Sequence, residues 1–147
     1  MSATLAFGGG IYIADKSVWA RTGRGRSFQA EWERALLANQ IATCPVTLME
    51  MLWSARSLAE FLAIETDLSS LRMIPIGMAE FDIAVETLRN LAAINSGYQR
   101  VPLADALIAA AAHRAGIGVL HYDHDFDRLR EVLVFDNRWV AAAGSMP

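Results

Sequence analysis

Short apolar segments alternate with longer helical ones along this chain, and that alternation restricts the fold more than any other feature. Five segments read as strands: residues 11–14, 41–46, 73–76, 118–122 and 132–135. Helical stretches lie between most of them, at 28–38, at 48–71 with a break somewhere inside, at 79–94 and at 102–115. Over 79–94 the apolar residues Phe81, Ala84, Val85, Leu88, Leu91 and Ala92 recur at helical spacing. Pro102 suits the first turn of the next helix and Gly116 its stop. Strands that alternate with helices imply a mostly parallel sheet covered on both faces. The expected fold is therefore α/β, a three-layer α/β/α arrangement around about five strands. A chain of 147 residues fits one domain, 1–147, with a flexible glycine-rich head over 1–10 and a frayed tail over 141–147.

The same residues exclude several classes. Cys44 is the only cysteine, so neither an internal disulfide nor a cysteine-based zinc site can form. That usage fits a reducing, cytoplasmic setting. The opening MSATLAF has no basic leader, and the longest apolar run, 106–112, is far too short for a bilayer, so no membrane partner is expected. Of the 13 basic side chains only Lys16 is a lysine, and the net charge is −3. A negative chain argues against a sequence-independent basic clamp on nucleic acid.

Sixteen acids are spread along the chain, and a few fall at telling places. Asp15 ends the first strand in IYIADKS. Glu50 opens the helix after the second strand in CPVTLMEML. Asp105 lies in the first turn of a very apolar helix in VPLADALIAAAAHRAG. Asp123 ends the strand in GVLHYD. In a parallel sheet all strand C-termini share one edge, where ligands bind in open α/β folds. Each acid also has a structural explanation. Asp15 suits an N-cap, Glu50 stands at capping-box spacing from Thr47, Asp105 favours the positive end of its helix, and Asp125 can cap the short helix after it. Two places demand more. Asp105 shares a helical face with Ile108, Ala109 and Ala112, where a carboxylate needs a cation or hydrogen bonds. Asp123, Asp125 and Asp127 crowd three like charges into VLHYDHDFDRL. Arg128 and Arg130 offer partial neutralisation, best suited to Asp127. A divalent ion that prefers oxygen, Mg²⁺ or Mn²⁺, answers both demands, and the chemistry it implies is phosphodiester hydrolysis.

These pieces together resemble the PIN-domain ribonucleases, in particular the VapC-type toxins of toxin–antitoxin pairs. IADKS resembles their first-strand acid with a hydroxyl two positions on. VTLMEML resembles their acid at the start of the third helix. PLADALIAAAAHRAGIGVLHYDHDFDRL resembles their most specific block, with its third and fourth acids. The likeness runs over residues 11–135. It implies an acidic pocket of Asp15, Glu50, Asp105 and Asp123 for Mg²⁺ or Mn²⁺, with Asp125 as an auxiliary acid at its rim. It implies that Ser17 supports the site through a carboxylate or a metal water. The implied activity is endonucleolytic cleavage of RNA such as tRNA or rRNA. The implied partners are a second copy of the chain, giving a homodimer, and a VapB-type antitoxin that reaches over the site. The glycine-rich head and the acidic net charge depart from the family pattern.

The remaining candidates are weaker. RTGRGRS places Arg21, Arg24 and Arg26 in a loop after Asp15, where they can hold RNA phosphates or simply face solvent. His121 lies inside a strand and reads as a core residue. His124, between two acids, suits a phosphate contact, but no histidine has a paired metal-ligand spacing. Trp19, Trp32, Trp53 and Trp139 read first as core. Trp53 with Met49 or Met51 also fits a partner surface. Cys44 reads as a buried thiol. No Ser-His-Asp order and no phosphate-cradling loop is present. A phosphotransfer domain needs a lysine at a later strand end, and Lys16 is misplaced for it. An aspartate-based phosphatase needs its D-x-D near the first strand, whereas Asp123-His124-Asp125 comes late. The alternative that survives is a non-catalytic PIN-like module that binds RNA or protein.

Overall fold

A computed structural model describes residues 9–22 and 25–146. Of the head only Gly9 and Gly10 fall within it, and Arg24 and residue 147 lie outside the described residues. The strands are β1 (Tyr12–Ala14), β2 (Ile41–Thr43), β3 (Arg72–Met73), β4 (Gly118–His121) and β5 (Asp136–Trp139). They form one sheet in the order β3-β2-β1-β4-β5, and every pairing is parallel. The helices are α1 (Lys16–Trp19), α2 (Arg26–Leu37), α3 (Pro45–Trp53), α4 (Leu58–Ser69), α5 (Met78–Ile94), α6 (Leu103–Ala115) and α7 (Asp125–Arg130). The three-layer α/β/α arrangement agrees with the sequence.

Strand side chains alternate between two cores, as the period of two requires. Ile13, Ala42 and Val119 point into a core shared with α5, α6 and α7. Tyr12, Ala14, Ile41 and Leu120 point into the other, against Val18 of α1 and Phe28 and Trp32 of α2. The central strands are buried on both faces, which is why they read as unbroken apolar runs. Gly118 lets them close up. A Cβ there would lie 2.5 Å from the Tyr12 ring and 2.6 Å from the Asp136 carbonyl. The Tyr12 hydroxyl crosses this join and donates to Asp136 Oδ2 at 2.6 Å.

Several boundaries differ from the sequence reading. Residues 132–135 are not a strand. Leu133 and Phe135 are buried as a core-filling connection, and the fifth strand begins at Asp136. β5 escaped notice because it is an edge strand, half exposed, with the polar sequence DNRW. β2 stops at Thr43 because Pro45, which has no N–H to give a ladder, starts α3. Thr47 therefore lies inside α3, and its capping-box relation to Glu50 does not exist. The Thr47 hydroxyl instead faces Cys44 Sγ at 3.5 Å. The helix foreseen over 48–71 is two, divided where Ser57 caps α4 by accepting from Glu60 N–H. Pro102 stands one residue before α6 as its cap position, and Gly116 ends that helix with a left-handed φ of 70°. Residues 141–146, expected to fray, are tied down. Ala141 is buried, and Met146 N–H donates to the Tyr122 hydroxyl at 2.7 Å.

This strand order places the function-bearing edge. From β1 the chain builds outward through β2 and β3, then returns to add β4 and β5 on the other side. The order reverses between β1 and β4, so their C-terminal ends flank a crevice. Asp15 follows β1 and Asp123 lies just beyond β4.

Candidate active site

Each acid at this edge is placed by a local device. Asp15 is the N-cap of α1. Its Oδ2 accepts from Ser17 N–H at 3.0 Å and from the Ser17 hydroxyl at 2.6 Å. The cap expected from the sequence is therefore real, and it orients the carboxylate. Ser17 Oγ also accepts from Tyr122 N–H at 2.9 Å, which couples the end of β1 to the end of β4. Ser17→Ala removes both bonds and leaves the Tyr122 N–H unpaired. The expected cost is about 1–3 kcal/mol of stability, read by urea unfolding. An unchanged midpoint would show that the coupling is idle.

Asp105 projects from the first turn of α6 and is only 6 % exposed. Its Oδ2 is buried without a hydrogen-bond partner. Burial, followed by the charges of Asp15, Asp123, Asp125 and Glu50, pushes its carboxyl up to about 8. Asp123 and Asp125 form a turn in which Asp125 N–H donates to Asp123 Oδ1 at 2.9 Å. Burial and the neighbouring Asp123 hold the Asp125 carboxyl above its ordinary range. One ligand atom each from Asp105, Asp123 and Asp125 lies within 4.8 Å of the others. Glu50, in the second turn of α3, is half-buried with Oε1 unpartnered. It too is pushed up, by burial first and then by Asp15.

The geometry therefore gathers Asp105, Asp123 and Asp125 most tightly. Asp15 and Glu50 stand outside that trio but inside its field, since both raise the Asp105 carboxyl. Three carboxylates so close repel one another, and two buried oxygens lack any partner. Both facts suit an oxygen-preferring divalent cation. The donors of the trio are all carboxylate, with no cysteine or histidine among them, which is the donor set of an oxygen-preferring ion.

Other expected residues divide. Arg21 donates to the Ser17 carbonyl at 2.7 Å, and its guanidinium lies 4.1 Å from the Tyr122 ring centre. Arg26 is exposed in the first turn of α2. Arg128 and Arg130 do not neutralise Asp127. Arg128 stacks over Tyr98 at 4.4 Å, while Asp127 Oδ1 accepts from Asn137 Nδ2 at 2.8 Å and Trp139 Nε1 at 3.0 Å. His121 is fully buried, and burial holds its imidazole toward the neutral form. Trp19 and Trp32 pack edge to face. Trp53, read first as core, is 86 % exposed. Cys44 is buried, which pushes its thiol up and away from reactivity.

Sequence reasoning missed Tyr122, Asn137 and Trp139, which frame the acidic turn. No local spacing points to them, because Asn137 and Trp139 reach Asp127 of α7 from β5 and Tyr122 N–H reaches Ser17 across from β4. It also missed buried Glu80, which accepts from Gly77 N–H at 2.7 Å and pairs with Arg114 at 3.0 Å.

The PIN domain family model matches residues 12–132. Ribonuclease VapC18 of Mycobacterium tuberculosis is 33% identical over 137 residues, covering 92% of this chain and 99% of its own. Ribonuclease VapC51 of the same organism is 33% identical over 135 residues, covering 92% of this chain and 96% of its own. The crystal structure of DNA-bound VapBC from Salmonella typhimurium superposes with a TM-score of 0.71 at 19% identity, over 89% of this chain and 98% of that one. VapBC-5 from Mycobacterium tuberculosis, a member of the VapBC family of toxin–antitoxin systems, superposes at 0.62 with 26% identity, over 88% and 98%.

Proposed function

Because this chain belongs to the PIN-domain family and, within it, to the VapC ribonucleases, we propose that it is an endoribonuclease toxin whose acidic edge works with Mg²⁺ or Mn²⁺. The observation that carries the metal reading is Asp105. It is a buried carboxylate with an unpartnered oxygen, and it faces two further carboxylates within 4.8 Å. Asp105, Asp123 and Asp125 are the residues assigned to hold the ion, with Asp15 and Glu50 completing the pocket. When bound, such an ion supplies positive charge to the scissile phosphate and to an attacking water. Ser17 fixes the direction of the Asp15 carboxylate. Glu50, with a buried Oε1 that has no partner, is assigned to the ion or to a water it holds. Arg21 and Arg26 are assigned to the RNA phosphates, together with Arg24, which the structure does not describe. The RNA it cleaves is assigned to the tRNA or rRNA class. The whole chain, 1–147, acts as one domain.

The deciding experiment uses purified, partner-free protein and a pool of small RNAs. Mg²⁺ or Mn²⁺ should yield discrete fragments, and chelator should remove them. Metal-independent cleavage would overturn the site. A folded, metal-binding protein with no cleavage would favour the binding-module alternative.

A VapB-type antitoxin is the proposed partner, supported by the VapBC neighbours. A homodimer is proposed as well. Met78, Phe81 and Val85 form an exposed apolar stripe on α5, while Met49 and Trp53, four residues apart on α3, are exposed as well. Exposed patches of this kind mark interaction surfaces. Placing two charges on the α5 stripe, Phe81→Arg with Val85→Arg, should weaken self-association at least about tenfold. Light scattering after gel filtration reads this, and an unchanged mass would move the dimer surface elsewhere. Among the described residues no helix is long and apolar enough to cross a membrane, and a cytoplasmic location is proposed.

A further inference from the structure

A chain of hydrogen bonds runs from the acidic turn to the edge strand, and its direction is fixed from the far end. Asp127 lies outside the metal trio and, when ionised, only accepts. It accepts from Trp139 Nε1 and from Asn137 Nδ2. Asn137 must then turn its carbonyl oxygen the other way, toward His121 Nε2, to which it is bonded. The Nε2 of His121 is thereby the protonated nitrogen. Its Nδ1 is left as an acceptor, and it takes the Asp123 N–H at 3.2 Å. Asp123 Oδ1 in turn accepts from Asp125 N–H. Every donor in the series points toward Asp127.

The ring of His121 has little freedom to break this order. It is fully buried, stacked on Phe126 with centroids 4.9 Å apart, and held at its edge by Trp139 at 5.1 Å. The strand register sets His121 directly beside Trp139 and Val119 beside Asn137, so β5 presents both partners on the correct face. A leucine or valine at 121 would fill the same space and serve the core equally well. A buried polar ring with both nitrogens bonded indicates a positional role.

We propose that His121 is a positioning residue for the Asp123–Asp125 turn, with its tautomer set by Asp127 through Asn137 of the edge strand. The residue is not itself a ligand. It holds the Asp123 backbone at the angle that lets both carboxylates face Asp105. This rests on the reading of the acidic trio as a metal site. Outer partners of this type commonly change metal affinity by roughly 10–100-fold when removed.

The test titrates Mn²⁺ into the full chain and follows free ion by electron paramagnetic resonance. His121→Leu keeps the buried volume and loses the acceptor. Asn137→Leu keeps His121 and loses control of its tautomer, and it stands on a half-exposed strand if the first variant fails to fold. Both should weaken Mn²⁺ at least about tenfold. In His121→Asn the side-chain oxygen takes the place of Nδ1, so affinity should return to within about threefold of the parent chain. A purely structural role would not give this rescue. Nitrogen-15 spectra of the parent protein should also show His121 with Nδ1 unprotonated. Normal Mn²⁺ binding by the folded variants, or a protonated Nδ1, overturns the positioning role alone. A parent chain that binds no Mn²⁺ overturns the metal reading and this proposal with it.

Discussion

Asp105→Asn should reduce metal-dependent RNA cleavage by about 100-fold or more, because loss of an outer-sphere partner alone costs roughly 10–100-fold and Asp105 is assigned to the inner set. The substitution is nearly isosteric and leaves α6 intact. It removes a buried carboxyl whose ionised form four other acids repel. The metal-free variant should therefore melt higher than its parent at pH 8, while the Mn²⁺-induced rise in Tm largely vanishes. Activity and stability move in opposite directions, which separates loss of the site from loss of the fold. The measurement is initial cleavage rate beside thermal melts with Mn²⁺ and with chelator. Undiminished cleavage would remove Asp105 from the site. A lower metal-free Tm would mean that its carboxylate has a partner the structure does not show.

What could be read from the sequence follows physical lines. Residues 11–14 and 118–122 were legible because a parallel strand buried on both faces has no polar alternation to hide it. Asp15 and Asp123 were legible together because strand C-termini share an edge, whatever separates them in sequence, and Asp105 because its carboxylate shares an apolar helical face. β5 was not legible. An edge strand is solvated on one side and permits a sequence as polar as DNRW. Missing β5 had a second effect. The hydrogen bonds Asp127 accepts come from Asn137 and Trp139, both on that strand, with His124 Nδ1 a further 3.6 Å from its Oδ2, so the nearer Arg128 and Arg130 looked like the natural counter-ions. Local spacing gave the wrong partner because the correct one comes through tertiary pairing.

Glu50 illustrates the same limit on a helix. Its distance of three residues from Thr47 fits a capping box, but spacing alone does not locate the first turn. Pro45 does, and with α3 starting there Glu50 is free to reach the crevice. Energetics reaches further than spacing here. Carboxylates crowded on apolar surroundings need an external charge, and the two unpartnered buried oxygens restate that need in three dimensions.

That unmet need leads to the second large effect, on stability as a function of pH. The Asp105 carboxyl has an ordinary value of 3.8 and is pushed up to about 8 in the fold. Between these limits the folded chain retains a proton that the unfolded chain has released. Stability conferred below pH 3.8 is therefore lost as pH climbs toward 8. Glu50 and Asp125 are raised and act in the same sense. Glu80, held low by Gly77 N–H and then by Arg114, acts in the opposite sense but below its ordinary 4.5. His121, held low by burial, also opposes, but only below 6.5. Above pH 6.5 the raised acids act alone. The metal-free protein should then lose about 2 kcal/mol between pH 6.5 and 8, at up to about 1.4 kcal/mol per pH unit for one retained proton. Asp105→Asn should flatten most of that slope. Mn²⁺ should reverse it, since the ion binds the ionised carboxylates and so stabilises the fold more as pH rises. Urea unfolding in chelator at three pH values reads the effect. A metal-free stability that stays level from pH 6.5 to 8 would mean the acids are ionised and satisfied without a cation, and the case for a metal at this edge would lose its physical basis.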